Sequence, residues 1–450
     1  MTSGTGSKRF TPSYGSIWRL SYPLMLAGIS ETIIDITDTI FLAHYGVTEL
    51  AAIGLADAWF MLFLFLSLGL VDGIQVVIGR RAGENREREI GRVFNQGLFL
   101  LAIVSVVMTA LLLLGLSLGA GGLLASEAVA DAVESYLRIA VYSLLFQSVN
   151  LAFSAFFVGI AQTRILIGAA LVLAISNIAL DYALIFGNLG LPEMGIAGAA
   201  VASLSAEILT TLFLAGSIFF KGFNRKYGLL QPLRWSSAIS HSLVSISWPV
   251  ALDNLVELLR WFLLFAIIEQ LGEAELASAN IIYSCLALFM IFIDSFSEAI
   301  CSMVSNLLGQ QRRAEMSQLI RKSVQLGYLL VVPLLVLALL FPDVVLAIFT
   351  PDAAIIELSR NGYTIVLLAL LVAVPGDMLY AAVVGTGDTR ATLGIQVVTT
   401  TIALAFALWA ALVMSLPLEL VLLVEIIVWC LYLLLSWYWL RSGRWNKLAI

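Results

Sequence analysis

Apolar runs of about twenty residues or more, separated by short polar stretches, recur along the whole chain. Twelve are distinguishable, at about 17–43, 50–78, 93–118, 132–158, 165–187, 195–220, 242–269, 275–306, 322–348, 356–384, 391–414 and 417–440. A helix needs roughly 20 apolar residues to cross the hydrocarbon core of a bilayer, so each run predicts one membrane-spanning helix. The runs also repeat as sequence. Pro23, Glu31, Gly46, Glu49, Leu50, Ala51 and Gly83 recur 226 residues later as Pro249, Glu257, Gly272, Glu275, Leu276, Ala277 and Gly309. Val158-Gly159, Thr163 and Arg164 recur at the same offset as Val384-Gly385, Thr389 and Arg390. Six spans per half is an even number, so both halves enter and leave on one face. The pattern therefore predicts an all-α polytopic membrane protein of twelve transmembrane helices. These form two six-helix lobes related by a pseudo-two-fold axis along the membrane normal. The expected division is 1–220 for the N-lobe, 221–240 for a cytoplasmic linker, and 241–450 for the C-lobe.

Composition agrees with the pattern. The chain of 450 residues is 61% apolar and 12% charged, with a mean hydropathy of +1.00, where a soluble protein carries about 25% charged residues. With both termini cytoplasmic, all Lys and Arg except Arg138, Arg260 and Arg360 fall on the cytoplasmic side, from Lys8, Arg9 and Arg19 to Lys447. That bias sets the orientation. The net charge of −6 adds little, because acids count weakly in this rule. The basic residues of 80–89 and 309–315 read as topology anchors with no nucleic-acid role. Cys285, Cys301 and Cys430 lie in apolar runs at spacings that fit no metal motif and imply no disulfide framework. Residues 1–15 are polar, which argues against a cleaved signal peptide. The sequence has no P-loop and no soluble region large enough to hydrolyse a nucleotide. It predicts no enzyme and no cofactor, and any work must draw on an ion gradient or a substrate gradient.

Acids inside the spans carry the chemistry, since each costs several kcal/mol in lipid unless paired, hydrated or functional. Glu31, Asp35 and Asp38 fall at i, i+4 and i+7, on one helical face. Asn177 and Asp181 are four apart, and Asp253, Glu257 and Arg260 repeat the i, i+4, i+7 spacing. Asp72, Asp294, Glu298, Asp377 and Glu425 lie in other spans. The repeat offset sorts them. Glu31 maps onto Glu257 and Asp72 onto Glu298, whereas Asp38, Asn177 and Asp181 map onto Leu264, Ala403 and Ala407, and Asp377 maps back onto Leu151. Each lobe thus has acids of its own. Asp253–Glu257–Arg260 also reads as an intrahelical ion pair, and Asp294, Glu298 and Glu425 as lining or structural groups.

Over essentially its full length the chain resembles the multidrug and toxic compound extrusion (MATE) family of secondary transporters. Three segments carry the resemblance. They are Thr37-Asp-Thr-Ile-Phe-Leu-Ala-His-Tyr-Gly-Val-Thr-Glu-Leu-Ala-Ala, then Asn177-Ile-Ala-Leu-Asp181 with Gly195-Ile-Ala-Gly-Ala-Ala-Val-Ala-Ser203, and Pro375-Gly-Asp377 with Gly385-Thr-Gly-Asp-Thr-Arg390. The resemblance implies an N-lobe cation site at Asp38, Asn177 and Asp181, with the Ala199 carbonyl and the Ser203 hydroxyl, Ser standing where Thr is usual. It further implies a hinge at Pro23 and a second acidic site in the C-lobe at Glu257 and Asp377. Glu31, Asp35 and Asp72 are additional acids outside the family's pattern.

These readings predict a cation-coupled antiporter that exports small organic, lipophilic cationic compounds by alternating access. It is expected to work as a monomer in the cell membrane. Two carboxylates and an amide supply hard oxygen ligands for Na⁺, and the same pair could hold H⁺, so the coupling ion stays open. Aromatic and Met side chains (Trp59, Phe60, Phe63; Phe289, Met290) read equally as substrate walls or as core. The alternative is a lipid-linked glycan flippase of the same superfamily, whose pyrophosphate would call for a basic cavity.

Overall fold

The computed structural model describes residues 11–118, 126–232 and 235–447. Lys8, Arg9 and Arg234, part of the charge argument, lie outside them. Among the described residues there are helices and no strands, as lipid demands: a helix satisfies its own backbone polar groups where no water can. The first half runs α1 (Tyr14–Tyr45), α2 (Val47–Gly83), α3 (Glu87–Ser117), α4 (Glu127–Ala140), α5 (Ser143–Gly159), α6 (Arg164–Ile185) and α7 (Ile196–Phe220). The second runs α8 (Ser237–Glu269), α9 (Glu273–Gly309), α10 (Met316–Leu340), α11 (Pro342–Leu346), α12 (Ala353–Thr386), α13 (Thr389–Leu408), α14 (Leu418–Val421) and α15 (Val424–Ser442). Among the described residues nine helices are long and apolar enough to cross a membrane, and the bent pair α4–α5 makes a tenth. The other two crossings are α1 and α8, of 32 and 33 residues. They are the helices that carry the i, i+4, i+7 sets of charged residues. The protein is thus a twelve-helix, two-lobed membrane protein.

Three crossings are less regular than their apolar runs predict. The run at 132–158 breaks into α4 and α5, which meet at 50°. There Ser143 Oγ donates back to the Ala140 carbonyl, a side-chain bond that bends helices, and Thr109 on α3 donates to the Val141 carbonyl at 3.3 Å. The run at 322–348 stops at Leu340, because Pro342 has no N–H to continue the ladder and starts the short α11 instead. The run at 391–414 ends in a π-helical turn, Trp409–Val413.

Two compact units divide the chain. One comprises Tyr22–Ser247; the other comprises Trp248–Ile450 together with the chain up to Ser21. Both boundaries fall inside helices, two residues before Pro23 in α1 and before Pro249 in α8, at the same repeat position. Each unit is pinned by an equivalent close approach. A Cβ on Gly159 would lie 2.6 Å from Ile78 Cγ2 on α2, and one on Gly385 would lie 2.5 Å from the Cys301 carbonyl on α9. Gly159 and Gly385 are therefore retained because any side chain would force α5 off α2, or α12 off α9.

Within the Tyr22–Ser247 unit, the stretch after α7 is held against α3. Asn95 Nδ2 donates to the Gly228 carbonyl at 3.0 Å while its Oδ1 accepts from Leu230 N–H at 2.7 Å. Gln96 repeats this on Ser236, donating to its carbonyl at 2.7 Å and accepting its N–H at 3.2 Å. Lys226 pairs with Glu87 at 3.2 Å. Helix α8 begins at Ser237, inside the stretch that reads as linker.

Candidate ion site

The helices α6 and α7 form a tight hairpin. Met194 N–H donates to the Leu184 carbonyl at 2.8 Å, and Gly198 has no room for a Cβ against that same carbonyl, 2.6 Å away. This sets Asn177 opposite Ser203, and Asn177 Nδ2 donates to Ser203 Oγ at 3.3 Å. Ala199 lies one turn from Ser203 on the same face and is buried. Asp38 on α1 reaches Asp181 within side-chain hydrogen-bonding range. Tyr136 on α4 lies within hydrogen-bonding reach of Ser203 and electrostatic reach of Asp38, Asp57 and Asp181. The structure thus brings together Asp38, Asn177, Asp181, Ala199 and Ser203.

The electrostatics of this group are unusual. Asp181 is fully buried and Asn177 is 2% exposed, yet both Asp181 oxygens, Asn177 Oδ1 and Asp38 Oδ1 have no hydrogen-bond donor. Two carboxylates are both acceptors, so they bond directly only through a shared proton, and a cation would satisfy both. Among the described residues no Lys or Arg pairs with either. Two further carboxyls, Asp35 on the same helix and Asp57 on α2, lie within electrostatic reach of Asp38. Sequence reading missed Asp57 and Tyr136. Asp72 lies on α2, half-buried, and no interaction with this group is seen.

A second polar cluster lies toward the start of α1 and the end of α7. Glu207 accepts from Asn150 Nδ2 at 2.7 Å, and Thr211 Oγ1 donates to Asn150 Oδ1 at 2.8 Å. Glu31 is within electrostatic reach of Glu207. Glu207 was also absent from the sequence reading, although Ala199, Ser203, Glu207 and Thr211 recur every four residues along one face of α7.

Several acids in the other unit are partnered. Arg260, 3% exposed, lies between Glu257 at 3.7 Å and Glu425 at 3.6 Å. Tyr283 OH donates to Glu425 at 3.0 Å, Tyr380 OH to Asp253, and Ser297 Oγ to Asp377. Asp294 faces Asp377, Glu257 and Glu298. Glu257 and Asp377 are in electrostatic reach of one another. The ion pair read along α8 alone is therefore shared with α15. Trp59, Phe60 and Phe63 pack on the core of the first unit, and His44 bonds to the carbonyl of Ile40 on its own helix.

Twelve helices in two repeated halves, with buried acids at mid-span in each, define a secondary-transporter architecture. The chain belongs to the MatE family, the multidrug and toxic compound extrusion transporters: the family model matches residues 23–183 and again 249–409, two copies 226 residues apart. A probable multidrug resistance protein NorM of Thermotoga maritima is 27% identical over 378 residues, covering 82% of this chain and 80% of the relative. A protein of the same description from Synechocystis sp. is 25% identical over 331 residues, 72% and 70% of the two chains. An outward-facing multidrug resistance MATE transporter of the MOP superfamily superimposes with a TM-score of 0.89 at 22% identity, over 98% of both chains. A MOP superfamily transporter from Pyrococcus furiosus, described as having a binding pocket of reversed polarity, gives 0.88 at 22% identity over 98% of both.

Proposed function

We propose that this protein is a cation-coupled antiporter that exports small organic cations, with Asp38 and Asp181 as the coupling pair. One observation carries the reading. A fully buried carboxylate, Asp181, faces a second carboxylate with its oxygens unpartnered. Such an arrangement is costly unless a proton or cation is bound there. Asn177 Oδ1 and Ser203 Oγ would complete a hard-oxygen ligand set for Na⁺. A proton shared between Asp38 and Asp181 would serve equally, so the coupling ion is H⁺ or Na⁺. Export of drug-like compounds is supported by the multidrug-resistance relatives. The abundance of acids over basic groups at mid-span supports a positively charged cargo over a pyrophosphate. We further propose a monomer in the cell membrane with both termini cytoplasmic, as the distribution of Lys and Arg supports.

Alternating access follows from charge balance. A cation or proton arriving from outside neutralises the Asp38–Asp181 pair and displaces the cargo's positive charge; release of the ion inside restores a site that attracts new cargo. Exchange is obligatory because leaving the pair bare and buried is unfavourable. The test is efflux of a fluorescent lipophilic cation from proteoliposomes, with pH and Na⁺ gradients imposed separately. Wild-type efflux should follow one gradient, and Asp181→Asn should respond to neither. Gradient-driven efflux at the wild-type rate by Asp181→Asn would overturn the assignment.

A further inference from the structure

We infer that α13 and α15 enclose a file of bound water that carries protons between one membrane face and the acids around Arg260. All the residues concerned belong to the Trp248–Ile450 unit. The seam centres on one bond, in which Tyr432 OH on α15 donates to Gln396 Oε1 on α13. Within one turn of that bond lie Gln396 Nε2, Thr399 Oγ1, Thr400 Oγ1, Trp429 Nε1 and Ser436 Oγ. Each of these residues is at least nine-tenths buried, and none of these atoms has a hydrogen-bond partner among the described residues. Helices α13 and α15 are successive crossings and run in opposite directions. Thr399 and Thr400, one turn forward on α13, therefore meet the level of Trp429, one turn back on α15. Ser436 lies toward the face where α13 begins and α15 ends, six residues or about 9 Å from Ser442. Trp439, one turn beyond Ser436, comes within reach of Asp388 at the start of α13 and continues the polar line to that face.

Packing alone does not call for these groups. At the same repeat positions the other unit has Ala170, Leu173, Ala174 and Ala206 in place of Gln396, Thr399, Thr400 and Tyr432. A buried polar group without a partner costs about 1–3 kcal/mol, and lipid supplies no partner. The occupant must accept from the amide and indole N–H groups, which only donate there, and must also satisfy three hydroxyls. None of the five groups is charged, and the acids beside them disfavour an anion. Water is the neutral ligand that both accepts and donates, and buried water makes about three such bonds. The acids border the seam directly. Tyr380 OH on α12 donates to Asp253 and stands 3.4 Å from the Thr392 carbonyl, one turn before Gln396. The Tyr380 ring packs edge-on against Tyr432, with centroids 4.9 Å apart. Glu257 and Arg260 on α8 and Asp377 on α12 are within electrostatic reach of Tyr432, and Glu425 lies one turn before Trp429. Along a water file a proton advances as one O–H bond forms and the next breaks, which leaves the seam unchanged after each passage.

Two measurements on the purified full-length chain test this. Pulsed hydroxyl-radical footprinting labels side chains that touch bound water, and Tyr363, 0% exposed on α12, is the dry reference of the same residue type. In wild type Tyr432 should be labelled well above Tyr363. In the shape-conserving triple variant Thr399→Val, Thr400→Val, Ser436→Ala it should fall to the level of Tyr363, with exposed Tyr142 labelled as before to show an intact fold. Stopped-flow proton uptake after a pH jump, read with a pH dye, tests the relay. The triple variant should slow the phase that Asp253→Asn removes by about tenfold, the effect on a barrier of one unmade hydrogen bond, and leave its amplitude unaltered. Wild-type labelling of Tyr432 no faster than Tyr363 would overturn the water file. An uptake phase insensitive to Asp253→Asn, or a rate unchanged in the triple variant, would overturn the relay. Both readouts concern this unit alone, so their failure leaves the Asp38–Asp181 assignment standing.

Discussion

The two units share a scaffold and differ in how they treat buried charge. In the Tyr22–Ser247 unit, Asp38 and Asp181 face each other with no basic partner among the described residues. In the other unit, Arg260 stands between Glu257 and Glu425, and tyrosine or serine hydroxyls cover Glu425, Asp253 and Asp377. The second arrangement carries its own counter-charge, whereas the first depends on one from outside. Repeat positions make the contrast sharper. Ala199, beside Ser203, corresponds to Glu425, and Asp181 corresponds to Ala407. The same frame thus holds an acidic group without a basic partner in one copy and, in the other, acids gathered around one buried arginine.

The largest expected effect comes from removing the uncompensated charge. Asp181→Asn should lower gradient-driven efflux by about a hundredfold or more, whereas Glu257→Gln should retain ion dependence and alter cargo affinity. Each ligand must shift the other's affinity by the same coupling free energy, so cargo affinity measured across pH and Na⁺ decides the matter. If only Glu257→Gln flattens that dependence, the coupling site belongs in the other unit.

Removing the internal counter-charge should act on stability instead. Arg260→Met leaves Glu425, 1% exposed, buried without its cation, a loss of about 3–5 kcal/mol. Adding Glu425→Gln to Arg260→Met should recover much of the melting temperature in detergent. A melting curve for Arg260→Met that matches wild type would dissolve the contrast between the two units.

Smaller effects probe what the units have in common. Gly159→Ala and Gly385→Ala should each cost about 1–3 kcal/mol by overpacking. Gly385 should be the worse, because its new Cβ meets a carbonyl where that of Gly159 meets a methyl. Finally, Pro23→Ala restores a helical hydrogen bond in α1 and should slow cargo turnover a few-fold while changing equilibrium cargo binding less. Turnover assays on Pro23→Ala and Pro249→Ala side by side would show whether bending matters equally in both repeats. Unaltered rates in both remove the hinge role.

Part of the N-terminal group was legible from spacing: Asn177 and Asp181 are four apart on one helix, and the repeat offset marks Asp38 as lobe-specific. Ala199 and Ser203 came only through the family resemblance. Asp57 and Tyr136 were invisible to spacing. Asp57 has only Ile53, Gly54, Phe60 and Met61 one turn away, and its nearness to Asp38 exists only across helices. Glu207 could have been found from its four-residue spacing to Ser203. Arg260 was read against Glu257 along α8, but half of its compensation comes from Glu425, 165 residues later in the chain. The break between α4 and α5 left no trace in hydropathy, since it depends on which hydroxyl meets which carbonyl rather than on apolar content.

The unit boundaries inside α1 and α8 bear on how such a molecule could have arisen from one gene copied twice. A polypeptide ending at the connector would leave the Tyr22–Ser247 unit without its last eleven residues, the opening turns of α8. A polypeptide starting there would lack the stretch up to Ser21 that belongs to its own unit. Neither half-gene encodes a finished body. A single repeat cut at the connector would complete its body only by accepting the leading arm of a second copy.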